Sequence, residues 1–154
     1  MNIQETVDFQ IRSTLFAMRR MYTVLAAEVG LTQGVGYVLI NVPKEGVAAT
    51  RIAPMMGMGP TSLSRLLKNM ETDGLIYRKA DEKDRRVVFI HLTENGMALR
   101  KKARQVVLDF NNKLFSQISE AEMQTFVSVS ERIRSQISIE MSRFQDTKIE
   151  EIYI

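Results

Sequence analysis

The sequence predicts a mainly α-helical fold that carries one small β-hairpin. Three observations predict it. Apolar residues recur every three or four positions through most of the chain. Within 75–92, two apolar stretches that flank a charged run at 81–86 alternate like strands instead. Glycine, proline and helix-capping hydroxyl residues punctuate the boundaries between these runs. With 154 residues, 45% apolar and 25% charged, the chain can build one core and is too apolar for a disordered segment.

The first long helix is written in Val7, Ile11, Leu15, Met18, Tyr22, Leu25 and Val29, an apolar stripe of six turns that Gly30 ends. Arg12, Arg19 and Arg20 lie off that stripe. Thr32 offers an N-cap to a short second helix holding Val35, Val38, Leu39 and Val42, closed by Pro43 and the residues after it. A third short helix, Ala48 to Met56, carries Ile52, Ala53 and Met56 inward, and "GMGP" at 57–60 turns the chain. Pro60 opens a fourth helix at its first position, where the missing N–H costs nothing, and Leu63, Leu66, Leu67 and Met70 form its apolar side.

The hairpin follows. Leu75 and Tyr77 are expected on one face of its first strand, and Val88, Ile90 and Leu92 on one face of its second, with Val87, Phe89 and His91 opposite. Thr93 caps the next helix, whose stripe is Leu99, Ala103, Val106, Phe110 and Leu114. Ser119 and Glu122 form a capping box for a last long helix bearing Met123, Phe126, Val129, Ile133, Ile137, Met141 and Phe144. The order is therefore long helix, three short helices, hairpin, two long helices.

Several functions fall away. Without cysteine there is no disulfide, thiolate nucleophile or thiol redox sensor. One histidine, His91, precludes a multi-histidine metal site in one chain, and it reads as a structural or exposed ring. No nucleophile–base pair, metal cluster or phosphate-cradling glycine loop suggests an enzyme, and no cofactor is expected. No stretch approaches the roughly 18 apolar residues of a membrane span. Residues 1–10 hold two acids and no basic residue, unlike a signal peptide, so a cytoplasmic location is expected. A net charge of +3 is compatible with nucleic acid without pointing to it.

Two short helices joined by a glycine turn and followed by a hairpin read as a winged helix-turn-helix over 32–93, with helical flanks at 1–31 and 94–154. Ala48–Met56 is then the bracing helix and Pro60–Thr72 the recognition helix. Its start offers Thr61, Ser62, Ser64 and Arg65, small or hydrogen-bonding apart from one guanidinium that can fork onto guanine, with Lys68 one turn on for a phosphate. The hairpin tip carries Lys83, Arg85 and Arg86, suited to the negative potential of a minor groove, while Asp81 and Asp84 would orient the arginines or close the turn. Residues 60–86 hold seven Lys or Arg against five Asp or Glu, a net +2. Taken alone, the helix start reads as ordinary surface and the tip as a solvated charge run. A second basic cluster, residues 100–104, reads as an extension of the positive face or as a wet helix surface. The methionines Met18, Met21, Met55, Met56, Met58 and Met70 read as core, with an adaptable ligand pocket as the other reading.

The stretch "MGMGPTSLSRLLKNMETDGLIYRKADEKDRRVVFIHLTENG", 56–96, resembles the signature of the MarR family (multiple antibiotic resistance regulators). The resemblance rests on the proline-led, hydroxyl-rich helix with its Arg, the glycine that ends it, the D-x-[RK]-D-[RK]-R wing, and the closing Leu-Thr-x-x-Gly. It departs in Gly59, which brings no side-chain cap, and in Glu82 and Lys83 at the tip. The resemblance implies a regulator that binds double-stranded DNA as a homodimer, a repressor at a pseudo-palindromic operator. It implies dimerisation through the terminal helices, with Val7, Ile11, Phe126, Ile133, Ile137, Met141, Phe144, Ile149 and Ile152. It also implies release by a small-molecule effector in a crevice between the dimerisation helices and the winged domain, for which Arg12, Tyr22 and Tyr37 are the polar candidates. The rival expectation is a winged-helix protein-interaction module without sequence-specific DNA binding.

Overall fold

The computed structural model describes residues 2–145. Six α-helices and three strands follow one another as α1 (Val7–Glu28), α2 (Gln33–Asn41), β1 (Val47–Ala48), α3 (Ala49–Met56), α4 (Pro60–Thr72), β2 (Ile76–Ala80), β3 (Val88–Leu92), α5 (Glu94–Phe115) and α6 (Glu120–Gln145). A 3-10 turn at Ile3–Glu5 precedes α1. This is the mainly helical fold with a small wing that the sequence predicts.

The described residues divide into two compact units, one up to Asp109 and one from Phe110 onward. In the first, the core gathers Val38, Leu39 and Val42 of α2, Ile52 of α3, Leu63, Leu67 and Met70 of α4, and Ile76, Ile90 and Leu92 of the sheet. Leu39, Met70 and Ile90 are fully buried, each stabilising the fold by about 1.5–3 kcal/mol. The helix-turn-helix is thus held by the apolar sides of three short helices closing on one face of the sheet.

The predicted caps are present. Thr32 accepts the Val35 amide at 3.3 Å at the start of α2. Thr93 accepts the Gly96 amide at 3.0 Å and donates to the Gly74 carbonyl at 2.6 Å, so one hydroxyl both caps α5 and ties it to the start of the wing. The glycine three residues on has a physical reason as well: a Cβ at Gly96 would run into the backbone carbonyl of Leu75. Gly59, by contrast, gives α4 no side-chain cap.

Two expectations need correction. The sheet has three strands, in the order β1-β3-β2, not two; Val47 and Ala48 pair with Ile90 and Phe89 ahead of α3, which starts at Ala49. The inward residue of the first wing strand is Ile76, which is 2% exposed, whereas Tyr77 is 48% exposed. The cause lies at the end of α4. Gly74 takes φ +66°, and the Leu75 amide bonds back to the Met70 carbonyl at 2.9 Å, the closure of a Schellman motif. Leu75 is buried as part of that helix end, so strand alternation begins at Ile76. Tyr77 lies on the outer face, stacked on His91 with ring centroids 5.2 Å apart. His91 also packs over Gly46, where any Cβ would meet its ring. His91 is therefore a packed ring of the outer sheet face.

The second unit contains the end of α5 and α6. The capping box is formed: Glu122 accepts the Ser119 amide at 2.8 Å, and Ser119 Oγ accepts the Glu122 amide at 3.3 Å. None of the described side chains of α6 is buried in the isolated chain. Ile149 and Ile152 lie outside the described residues, as does the side chain of Phe144. Among the described residues no single helix is long and apolar enough to cross a membrane.

Candidate nucleic-acid interface

The side of α4 opposite its core residues presents Thr61, Ser62, Ser64, Arg65 and Lys68, all exposed. The heptad arithmetic requires this: with Leu63, Leu67 and Met70 turned inward, positions 61, 62, 64, 65 and 68 turn out. Pro60 stands at the first helical position, where its fixed φ suits the helix and its missing N–H costs no helix bond. The structure brings Thr61, Ser64, Arg65 and Lys68 together in one open depression with two residues that the sequence reading did not single out, Glu71 and Arg78. Arg78 Nε pairs with Glu71 Oε2 at 3.1 Å, both half-exposed. The signal that locates Arg78 is the corrected strand face: Ile76, Arg78 and Ala80 share the helix-facing side of β2, so the guanidinium meets the last turn of α4.

The wing tip is built by its two aspartates. Asp81 Oδ1 accepts the amides of Lys83 at 2.7 Å and Asp84 at 2.9 Å, an Asx-type turn. The Asp81 amide and the Val87 carbonyl close the loop at 2.9 Å. Asp84 receives three bonds from Arg86: the amide at 3.1 Å, Nε at 3.1 Å and Nη2 at 3.2 Å. These bonds from Arg86 hold the Asp84 carboxyl below its ordinary pKa. Lys79 reaches Glu82 at 3.4 Å. Lys83 and Arg85 are exposed and make no ion pair among the described residues, so the tip offers two unengaged cations and one forked arginine.

A crevice of about 390 Å³ opens between α1, α2 and α5, with walls from Leu15, Met18, Ala26, Ile40 and Val106. Tyr22 and Tyr37 line it; Arg12 does not, and Arg19, two turns further along α1, does. The Tyr37 hydroxyl donates to the Met55 carbonyl of α3 at 3.3 Å, linking this wall to the bracing helix. Of the methionines, Met18 is at the crevice while Met70 is core. Among the described residues, no group of three or more His, Cys, Asp or Glu is placed to hold a metal ion.

Comparison with known proteins follows the same lines. The family model described as "MarR family" matches residues 44–88, from the loop before β1 to the start of β3. The organic hydroperoxide resistance transcriptional regulator of Bacillus subtilis (strain 168) is 29% identical over 104 residues, covering 67% of this chain and 71% of that protein. The HTH-type transcriptional regulator BilQ of Clostridium symbiosum is 24% identical over 105 residues, covering 68% and 73%. The MepR–DNA complex of S. aureus superposes with a TM-score of 0.74 at 25% identity, covering 85% of this chain and 98% of that one.

Proposed function

We propose that this chain, which belongs to the MarR family of winged helix-turn-helix regulators, binds a pseudo-palindromic operator as a homodimer and represses transcription from it. The observation that carries the reading is α4. One side is locked into the core, and the other presents three hydroxyls, Arg65 and Lys68 with no ion pair among the described residues. In this reading the start of α4 enters the major groove, where Arg65 forks onto a guanine edge and Thr61, Ser62 and Ser64 reach bases or phosphates. Lys83, Arg85 and Arg86 meet the adjacent minor groove or backbone, with Asp81 and Asp84 shaping the tip.

The dimer is formed by the terminal helices. Val7 and Ile11 of α1 and Phe126, Ile137 and Met141 of α6 are each at least half-exposed in the isolated chain. That much unpartnered apolar side chain on two long helices suits burial against a second copy. Two recognition helices then meet successive major grooves about 34 Å apart.

The crevice between α1, α2 and α5 takes the effector, a small and largely apolar molecule, with Tyr22, Tyr37 and Arg19 as its polar partners; its volume lies within the roughly 300–1,000 Å³ of small-molecule sites. An effector releases the DNA only by preferring a dimer whose helix spacing no longer fits. The chain is a regulator and not an enzyme, and it has no thiol with which to sense peroxide. A cytoplasmic location belongs to the same reading.

In vitro selection of the purified protein on random duplex DNA tests the proposal. Recovery of an inverted repeat with half-sites one helical turn apart is expected. A folded dimer that enriches no sequence would instead support an interaction module.

A further inference from the structure

We propose that a groove beside the first half of α5 binds the phosphate group of a small molecule, at a site separate from the DNA-reading surface. The groove has a volume of about 380 Å³. Lys44, from the loop after α2, and Arg100, Lys101 and Arg104, from two adjacent turns of α5, line it, with Met97 and Leu108 as apolar wall.

Three features set it apart. No carboxylate lines it, and none of its four cations makes an ion pair among the described residues, whereas the depression on α4 contains Glu71. Four like charges gathered in a concavity repel one another, and a multiply charged anion relieves that repulsion. Arg100 is half-buried and its Nε has no hydrogen-bond partner among the described residues, so this guanidinium is not committed to any carboxylate there. Guanidinium forks and ammonium points together match the tetrahedral, multiply charged oxygens of a phosphate better than a single carboxylate.

The source of the phosphate is a small ester rather than the DNA backbone. Contacts to a duplex come from protruding cations such as Lys83 and Arg85. A concavity whose cations converge from two elements, Lys44 after α2 and Arg100, Lys101 and Arg104 on α5, suits a group that enters it. The groove also shares no residue with the α4 depression or with the wing tip. The proposal does not need the DNA-binding reading, and the two can fail separately.

Titration calorimetry of inorganic pyrophosphate into the full-length protein at about 50 mM salt tests it. The exposed positions allow Lys101→Gln and Arg104→Gln without disturbing the core, and Arg65→Gln serves as a charge-matched control. Saturable binding is expected for the wild type and for Arg65→Gln, weakened about tenfold in each groove variant. Operator affinity of the groove variants is expected to stay at the wild-type level. The proposal is overturned by an absence of saturable binding, by unchanged binding in the groove variants, or by an equal loss in Arg65→Gln. Loss of operator affinity in the groove variants as large as in Lys83→Gln also overturns it, because the cluster is then a DNA-backbone surface. Pyrophosphate binding by a protein that selects no operator would retain the groove and reject the DNA reading.

Discussion

The guanidinium of Arg86 closes on the carboxylate of Asp84, Nε to Oδ1 at 3.1 Å and Nη2 to Oδ2 at 3.2 Å, while the Arg86 amide bonds the same Oδ1. The acid at the wing tip therefore works as a clasp. Asp84→Ala removes a negative charge from a surface proposed to meet DNA, and charge alone would tighten binding. The clasp predicts the reverse: a freed Arg86 and a looser turn lower affinity roughly two- to fivefold, measured by fluorescence anisotropy on a selected duplex. Because Arg86 lowers the Asp84 pKa in the folded protein, the clasp's contribution to folding stability is present above the unfolded-state pKa. It is lost as pH falls through the lowered folded value.

Ile76 and Tyr77 make opposite predictions although they are neighbours. Ile76 is 2% exposed and packs on the helix-facing side of the sheet. Ile76→Ala should cost about 2–5 kcal/mol in denaturant unfolding. Tyr77→Ala loses only a stacked contact with His91 on the outer face and should cost less than about 1.5 kcal/mol. Equal costs would contradict the strand register.

Ile137 is 56% exposed on α6. Placing a charge there should break the proposed dimer, since the two-fold axis introduces it twice. For Ile137→Arg, sedimentation velocity should show the dimer dissociation constant raised roughly a hundredfold, with operator binding falling in parallel and helicity retained. A variant as dimeric as the wild type would remove α6 from the interface.

The start of α6 carries its own pH signature. Ser119 holds the Glu122 carboxyl below its ordinary pKa by bonding it through both its hydroxyl and its amide. A depressed folded pKa stabilises above the unfolded value and the benefit disappears as pH falls through the folded one. Glu122→Ala should therefore melt below the wild type near neutral pH, with the gap narrowing as the solution is acidified below about pH 4.

Much of this was legible because single residue types decide single features. Thr32, Thr93 and Ser119 start helices where the sequence places them, and Pro60 opens α4. Legibility failed where two motifs overlap. "GLIY" offers three consecutive strand-formers, and the helix-ending bond from Leu75 to Met70 shifts the alternation by one residue. That shift hid Ile76 as core and Arg78 as the partner of Glu71. β1 went unseen because two residues carry no periodicity. Polarity alone sets Arg12 beside the crevice, whereas the turn of α1 that faces α2 and α5 carries Arg19. The unmatched cations near Arg100 depend on which carboxylates stay away, and spacing along the chain does not encode that.

In the proposed dimer, α4 reads sequence in two symmetric copies. The affinities of wild type and Arg65→Ala for every single-base variant of the selected operator test this. The variant is expected to lose discrimination of about 1–3 kcal/mol at one symmetry-related pair of positions and to keep it elsewhere. A uniform loss across all sequences would contradict it, leaving Arg65 a mere phosphate contact and α4 without a reading role.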